Sequence, residues 1–482
     1  MSETTRRAEE EPVLPPIVYA EASVLSSGGV SLFSQEVPVT EETVPGFYSE
    51  RGLVGEAVDQ LREVGFEVLQ TARTTVTIAG PPGLYEDAFR TSIVAEERTT
   101  IKYYGREDTA TFLECPDTEV PGLIDASESR LSETIEGVAL NEPVYPLAFA
   151  NPPVKEYWHL DVPAGVSLGI NADRVHRSGI TGSGVRVVMV DTGWHRHPFF
   201  VERGYRTGAV KLGPGAQDPD VDEDGHGTGE SANVFAVAPD VEFTMVKMGP
   251  INSTGAFKAA VALGPDIISC SWGRSRPFAP LSAADQALAA AVASAVRQGI
   301  ITVFAAGNGH WAFPGQHPDV LSAGGVFAHP DGSLEASDYA SGFASPIYPG
   351  RNVPDVCGMV GKMPEARYIM LPVQPGGKAD DTGAGGEHPD LDETAPGDGW
   401  AVFSGTSAAA PQLAGVCALM KQASPDLSPL QARNALKQTA RDVVLGRCSA
   451  STGANQATTG PDLATGHGLT DALQAVMAVS GP

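Results

Sequence analysis

Residues 151–482 predict an α/β fold, a doubly wound, mostly parallel sheet covered by helices on both faces. Residues 16–150 predict a smaller α+β unit in front of it. Two patterns carry these readings. Near-continuous apolar runs at 185–190, 241–248, 266–271 and 300–305 alternate with helical periodicity at 255–263, 283–297, 407–422 and 428–440. Strands that are apolar throughout belong in a parallel sheet buried on both sides. Upstream, the elements follow the order β-α-β-β-α-β, the ferredoxin-like order.

In that first unit, the β-branched and aromatic run at 16–24 reads as a strand. Val54, Ala57, Val58, Leu61 and Val64 have helical spacing over 54–64. Short strands follow at 66–71 and 74–79. Pro81-Pro82-Gly83 breaks the chain, 85–89 looks helical, and 135–145 reads as the closing strand. The polar, Glu-rich stretch 1–15 reads as a flexible acidic tail, and Asn151-Pro152-Pro153 as a linker.

Charge narrows the function. The 482 residues carry 59 acids against 32 bases, a formal net charge of −27. Residues 1–150 hold 27 acids and 10 bases, so much of the excess lies in the first unit. A surface this negative repels phosphates and anionic lipid, which excludes nucleic acid and membrane surfaces as partners. No stretch approaches 18 uninterrupted apolar residues, and Arg6-Arg7 is followed by acids where an export signal has an apolar segment. The expected location is cytoplasmic. Five scattered cysteines without a CxxC pair suggest buried thiols rather than a metal cage or disulfides.

Four motifs carry chemistry, all at expected strand ends or helix starts, where parallel sheets place their sites. Asp191 follows the 185–190 strand and leads into Thr192-Gly193. Such a carboxylate can hold an imidazole, although alone it reads more often as a turn. His226 lies in Asp224-Gly225-His226-Gly227-Thr228, where flanking glycines let the backbone bend closely. Asn308, in Ala305-Ala306-Gly307-Asn308-Gly309, offers a side-chain amide to a developing oxyanion. Ser407, in Gly405-Thr406-Ser407-Ala408-Ala409-Ala410-Pro411, opens an apolar helix whose N-terminus presents free N–H groups.

The motifs DTG, GHGT, AAGN and GTSAAAP, in the order Asp, His, Asn, Ser, resemble those of the subtilisin-like serine proteases, the subtilases. His197-Pro198, Val237-Ala238-Pro239, Ser271-Trp272-Gly273 and Gly466-His467-Gly468-Leu469 extend the resemblance over about residues 155–480. It implies a subtilisin-like sheet and a serine endopeptidase acting on protein or peptide substrates. Ser407 would be the nucleophile, His226 the general base and Asp191 its orienting carboxylate. Asn308 would complete the oxyanion hole. Ser271, Trp272, Gly273 and Gly307 would bind substrate, with Trp272 and residues 309–313 shaping the primary pocket.

The departures are equally specific. Gly229 and Glu230 stand where the family often has a second histidine and its neighbour. Only about ten residues separate Gly229 from Pro239, too few for the family's calcium loop. Asp220-x-Asp222-x-Asp224-Gly225 copies the start of an EF-hand loop, but Ser231 fills its twelfth position, so a solvated acidic loop is expected. No cofactor is required on this reading, and structural calcium is left unassigned. His197 is expected to be structural rather than half of a metal pair with His195. Residues 376–398, rich in Gly and Asp, read as a mobile loop near the site.

Subtilases often carry an N-terminal pro-domain with the ferredoxin-like arrangement. Residues 16–150 are therefore expected to inhibit residues 151–482 intramolecularly, docked through apolar contacts and strand pairing, with processing between about Pro146 and Trp158. The stretch 54–93 also resembles sedolisin pro-segments, but sedolisins would have Glu and Asp in place of His226 and Asn308. The competing expectation is a latent protease gated by a partner, whose N-terminal unit is a regulatory module that self-cleavage does not remove.

Overall fold

The computed structural model describes residues 12–34, 36–101, 107–146, 158–363, 369–386 and 390–480. Most of the acidic tail, the 151–153 linker and nearly all of the expected processing stretch lie outside the described residues.

The first unit forms an antiparallel sheet in the spatial order Glu67–Thr71, Thr75–Gly80, Val18–Val24, Ile135–Leu140, Leu123–Asp125. Its first four strands have the ferredoxin-like order. The helix Arg51–Val64 buries Val54, Ala57 and Leu61 and ends at Gly65, whose φ of 114° suits glycine. Pro82–Phe89 is the second helix. The expected strand at 135–145 is two pieces, because the chain leaves the sheet at Leu140 and pairs again only at Tyr145–Pro146. A hairpin, Val94–Ile101 with Glu107–Glu114, stands outside the sheet and was not anticipated.

The larger unit is built on an eight-stranded sheet. Lys211–Leu212, Glu242–Lys247, Arg186–Asp191, Ile267–Cys270, Ile301–Ala305 and Leu321–Ala328 run in parallel, and Val356–Met359 joins the last of them. Leu334–Ala336 pairs antiparallel at the edge. Helices His226–Val237 and Thr406–Ala423 pack on one face, with Ser253–Ala262 and Ala283–Arg297 on the other. Among the described residues, no helix is long and apolar enough to cross a membrane.

The two units share an apolar core. Phe33, Val39 and Phe47 pack in one cluster with Val188, Phe257, Leu288 and Phe304. Charge also acts locally, which the sequence reading did not anticipate. Lys258 Nζ lies 2.9 Å from Glu21 Oε2 and bonds Thr77 Oγ1 at 3.0 Å, all of them buried. Arg274 and Arg276 together hold Glu142 and Asp285. Both units are net negative, yet the acids at their junction meet buried cations.

Candidate active site

Asp191 ends the central strand Arg186–Asp191 and is buried. Its Oδ1 accepts from Thr192 N at 2.8 Å and from His226 Nδ1 at 2.7 Å. His226 is the first residue of the His226–Val237 helix. The helix start must approach the aspartate turn closely, and Gly227 permits it: a Cβ there would stand 2.3 Å from Gly193 O. Gly229 is fixed by the same kind of contact, since its Cβ would lie 2.3 Å from the Phe403 ring.

Asp222 clamps this corner. Its Oδ1 accepts from Thr192 Oγ1 at 2.8 Å and Gly225 N at 3.1 Å; its Oδ2 accepts from Thr228 N at 2.8 Å and Thr228 Oγ1 at 2.6 Å. Asp222 is fully buried, so the expectation of a solvated acidic loop holds for Asp218 and Asp220 but not for Asp222. Its oxygens are taken by protein donors, which leaves it a cap for the helix start rather than the middle of a cation loop. Among the described residues, no group of three or more His, Cys, Asp or Glu side chains could hold a metal ion.

Ser407 is the second residue of the Thr406–Ala423 helix, behind Gly405. Its Oγ donates to Ser271 O at 3.1 Å, while Ser271 Oγ donates back to Ser407 O at 2.8 Å. His226 Nε2 is buried and has no hydrogen-bond partner among the described residues. The structure therefore brings Asp191 and His226 into direct contact, while the Ser407 hydroxyl is turned toward Ser271. Asn308 Oδ1 accepts from Thr406 N at 2.9 Å and Thr406 Oγ1 at 3.0 Å. Its Nδ2 is left buried without a partner among the described residues. Gly307 N donates to the same Thr406 hydroxyl at 3.1 Å.

Burial pushes the His226 imidazole toward its neutral form, but Asp191, then Glu230 and Asp224, outweigh it and raise its pKa. Burial pushes the Glu230 carboxyl up as well, to about 8, against the pull of His226.

The strand Trp272–Ser275 lines this rim. On one edge it pairs antiparallel with Ala312–Phe313, and on the other with Tyr145–Pro146, in the register Trp272 to Pro146 and Gly273 to Tyr145. The expected part of Trp272 in shaping a pocket is corrected: its indole donates to Val190 O at 2.7 Å, is 1% exposed and lies edge-on to Phe304. His197 caps the short helix Pro198–Glu202, its Nδ1 accepting from Phe199 N at 3.1 Å. The 376–398 segment touches the site's border through Lys378 N to Glu223 O and Ala379 N to Asp224 O, 2.9 and 2.8 Å.

Thr192, Thr228 and Thr406 lay inside the quoted motifs, yet their roles as supports were not read from sequence. Asp222 was hidden in an acidic run, where only its placement four residues before His226 sets it apart.

A model described as the subtilase family matches residues 182–468. The M-protease of Shouchella clausii (strain KSM-K16) is 30% identical over 298 residues, spanning 58% of this chain and 64% of its own. Subtilisin Savinase of Lederbergia lenta is also 30% identical over 298 residues, with 91% of its length covered. Among solved structures, that of fervidolysin from Fervidobacterium pennivorans, described as a keratinolytic enzyme related to subtilisin, aligns over 99% of this chain and 62% of that one. Its TM-score is 0.59 at 17% identity. This chain thus spans less than two thirds of the M-protease and of fervidolysin. The fervidolysin likeness is one of fold.

Proposed function

The chain belongs to the subtilase family, and from that premise we propose that it is a serine-type endopeptidase whose residues 16–150 inhibit residues 151–482. The observation that carries the chemistry is the buried 2.7 Å hydrogen bond between Asp191 and His226, on the strand-end rim that also holds Ser407 and Asn308.

In this reading the Ser407 hydroxyl leaves Ser271 O and turns to His226 Nε2. Its oxygen attacks the scissile carbonyl carbon while its proton passes to Nε2. Asp191 keeps the ring oriented and faces the positive charge that forms on it. The carbonyl oxygen becomes an oxyanion and meets Asn308 Nδ2 and Ser407 N–H, donors already in position before charge develops. Collapse of the intermediate breaks the C–N bond, and the leaving amine takes the proton from Nε2. Water then attacks the acyl ester with His226 again as base, which frees the product acid and restores Ser407.

Inhibition is supported by the Tyr145–Pro146 strand on the Trp272–Gly273 edge. The subtilase resemblance gives that edge to substrate backbone, so the end of the first unit takes the place of a bound peptide. Glu142, three residues earlier, is anchored by Arg274 and Arg276.

The test is incubation of the full chain with casein beside a Ser407→Ala control, following intact mass over time. Cleavage of casein, with the chain itself cut between about 146 and 158 in the wild type alone, is expected. A wild-type chain that leaves casein whole and refuses a fluorophosphonate probe would overturn self-activation and leave partner-gated latency.

A further inference from the structure

Glu230 lies one helical turn beyond His226, on the same face of the His226–Val237 helix, and its side chain is wholly inaccessible to solvent. A buried carboxylate is expensive unless it has partners, so its surroundings matter. Oε2 accepts from Asn233 Nδ2 at 3.0 Å. Asn233 Oδ1 accepts in turn from Gln412 Nε2 at 3.2 Å, and Gln412 Oε1 accepts from Met359 N at 2.7 Å. Gln412 belongs to the helix that carries Ser407. Oε1 has no hydrogen-bond partner among the described residues, and it lies 3.9 Å from His226 Nε2, which has none either.

Glu230 Oε1 is thus the group placed against this edge of the ring. Ser407 Oγ is committed to Ser271 O. Glu230 needs an approach of about 1 Å to make a charge-assisted hydrogen bond to Nε2. Resting on the proteolytic reading above, we propose that Glu230 is a positioning residue, a second carboxylate that holds the Nε2 edge of His226 and competes with Ser407 for it.

The charges around the pair are few. Asp191 faces the ring from the central strand, and Asp222 and Asp224 lie in the turn before the helix. The Ser407 helix contributes neutral Gln412, and the strands Ile369–Pro372 and Trp400–Phe403 contribute apolar Leu371 and Phe403. Helix Ala164–Gly169, packed on the same helix, has no ionisable side chain. Among the described residues, no cation other than the ring opposes the Glu230 charge here. Burial favours the protonated carboxyl and the ionised ring stabilises the carboxylate, so the ionisation of each depends on the other, and with it whether Nε2 is free to accept from Ser407.

The sign follows. An ionised Glu230 favours the imidazolium, and His226 can serve as a base only when neutral. Replacing the carboxylate with an amide should free the ring at lower pH. Glu230→Gln keeps the shape and the Asn233 contact. It should move the acid limb of the kcat/KM profile down by about one unit and leave KM unchanged. One unit below the wild-type limb, kcat/KM should then rise about fivefold, approaching tenfold at lower pH.

The same shift should appear without turnover. In the full chain with Ser407→Ala, the NMR titration midpoint of the His226 ring should fall by about one unit when Glu230→Gln is added. Glu230→Asp, which restores the charge, should return the midpoint toward the parent value. An identical ring titration in all three chains would overturn the proposal. Absence of hydrolysis by both the wild type and Glu230→Gln would instead remove the self-activating reading, while the ring titration still reports on Glu230.

Discussion

Thr406 fixes the orientation of Asn308: its backbone N–H and its hydroxyl both donate to the Asn308 Oδ1, so the Nδ2 is the group left facing the site. An amide held this way loses little freedom when an oxyanion forms.

Asn308→Ala should therefore lower kcat by roughly 100-fold to 1000-fold, the usual cost of one lost oxyanion donor, with KM little altered. Thr406→Val removes the supporting hydroxyl, which also accepts from Gly307 N, and should lower kcat by about tenfold. Steady-state kinetics on a peptide amide substrate separate the two. Equal kcat for Thr406→Val and wild type would show that the backbone N–H alone holds the amide.

Asp222 bridges Thr192 to Gly225 and Thr228, and with them the aspartate turn to the start of the His226 helix. Asp222→Ala strands these donors in a buried site, which should cost on the order of 3 kcal/mol. Urea unfolding of the full chain in a Ser407→Ala background measures it, with the slope unchanged if the effect lies in the native state.

Acid should loosen the junction between the units through His317. Its ring is buried, with Nε2 3.0 Å from Val39 O and Nδ1 accepting from Asp319 N at 3.2 Å. Burial, with Arg351 and Arg433 nearby, pushes its pKa down to about 3, while an unfolded histidine titrates near 6.5. Between those values the unfolded chain binds the proton and the folded chain does not. Stability is therefore complete above about pH 6.5 and declines as pH falls, by about 1.4 kcal/mol per unit. His317→Gln should flatten that part of the stability curve in urea titrations between pH 7 and 4.

Lys258→Met leaves Glu21 charged and buried against two threonines, and should weaken the junction by about 3 kcal/mol or more. Adding Glu21→Leu removes the stranded charge and should restore part of that loss. The time to onset of proteolysis reads both: shorter than wild type in the single variant, intermediate in the double.

The parts legible in sequence were those with a local cause. Asp191, His226, Asn308 and Ser407 lie where a strand ends or a helix begins, and glycines mark each bend. The strand Leu321–Ala328 escaped notice because Gly324 and Gly325 interrupt its apolar run, to make room for Pro354 and Val360. The hairpin Val94–Ile101 has mostly exposed or half-buried side chains and so no apolar period to detect. Trp272 looked like a pocket wall because nothing in its neighbours' identity says that Val190 O waits for its N–H. Glu142 and its arginines are more than 130 residues apart, beyond any local pattern.

The order of the site along the chain also sets its order in time. Asp191 is synthesised first, then His226, then Asn308, and Ser407 last, on a helix buried from Thr406 to Met420. The strand Tyr145–Pro146, which pairs with the Trp272–Gly273 edge, is complete before any of the four. At typical rates of translation the interval from Pro146 to Ser407 is roughly tens of seconds. If the first unit inhibits as proposed, the stopper is made well before the vessel it closes, and the nascent chain passes through no stage in which an assembled site stands without its cover.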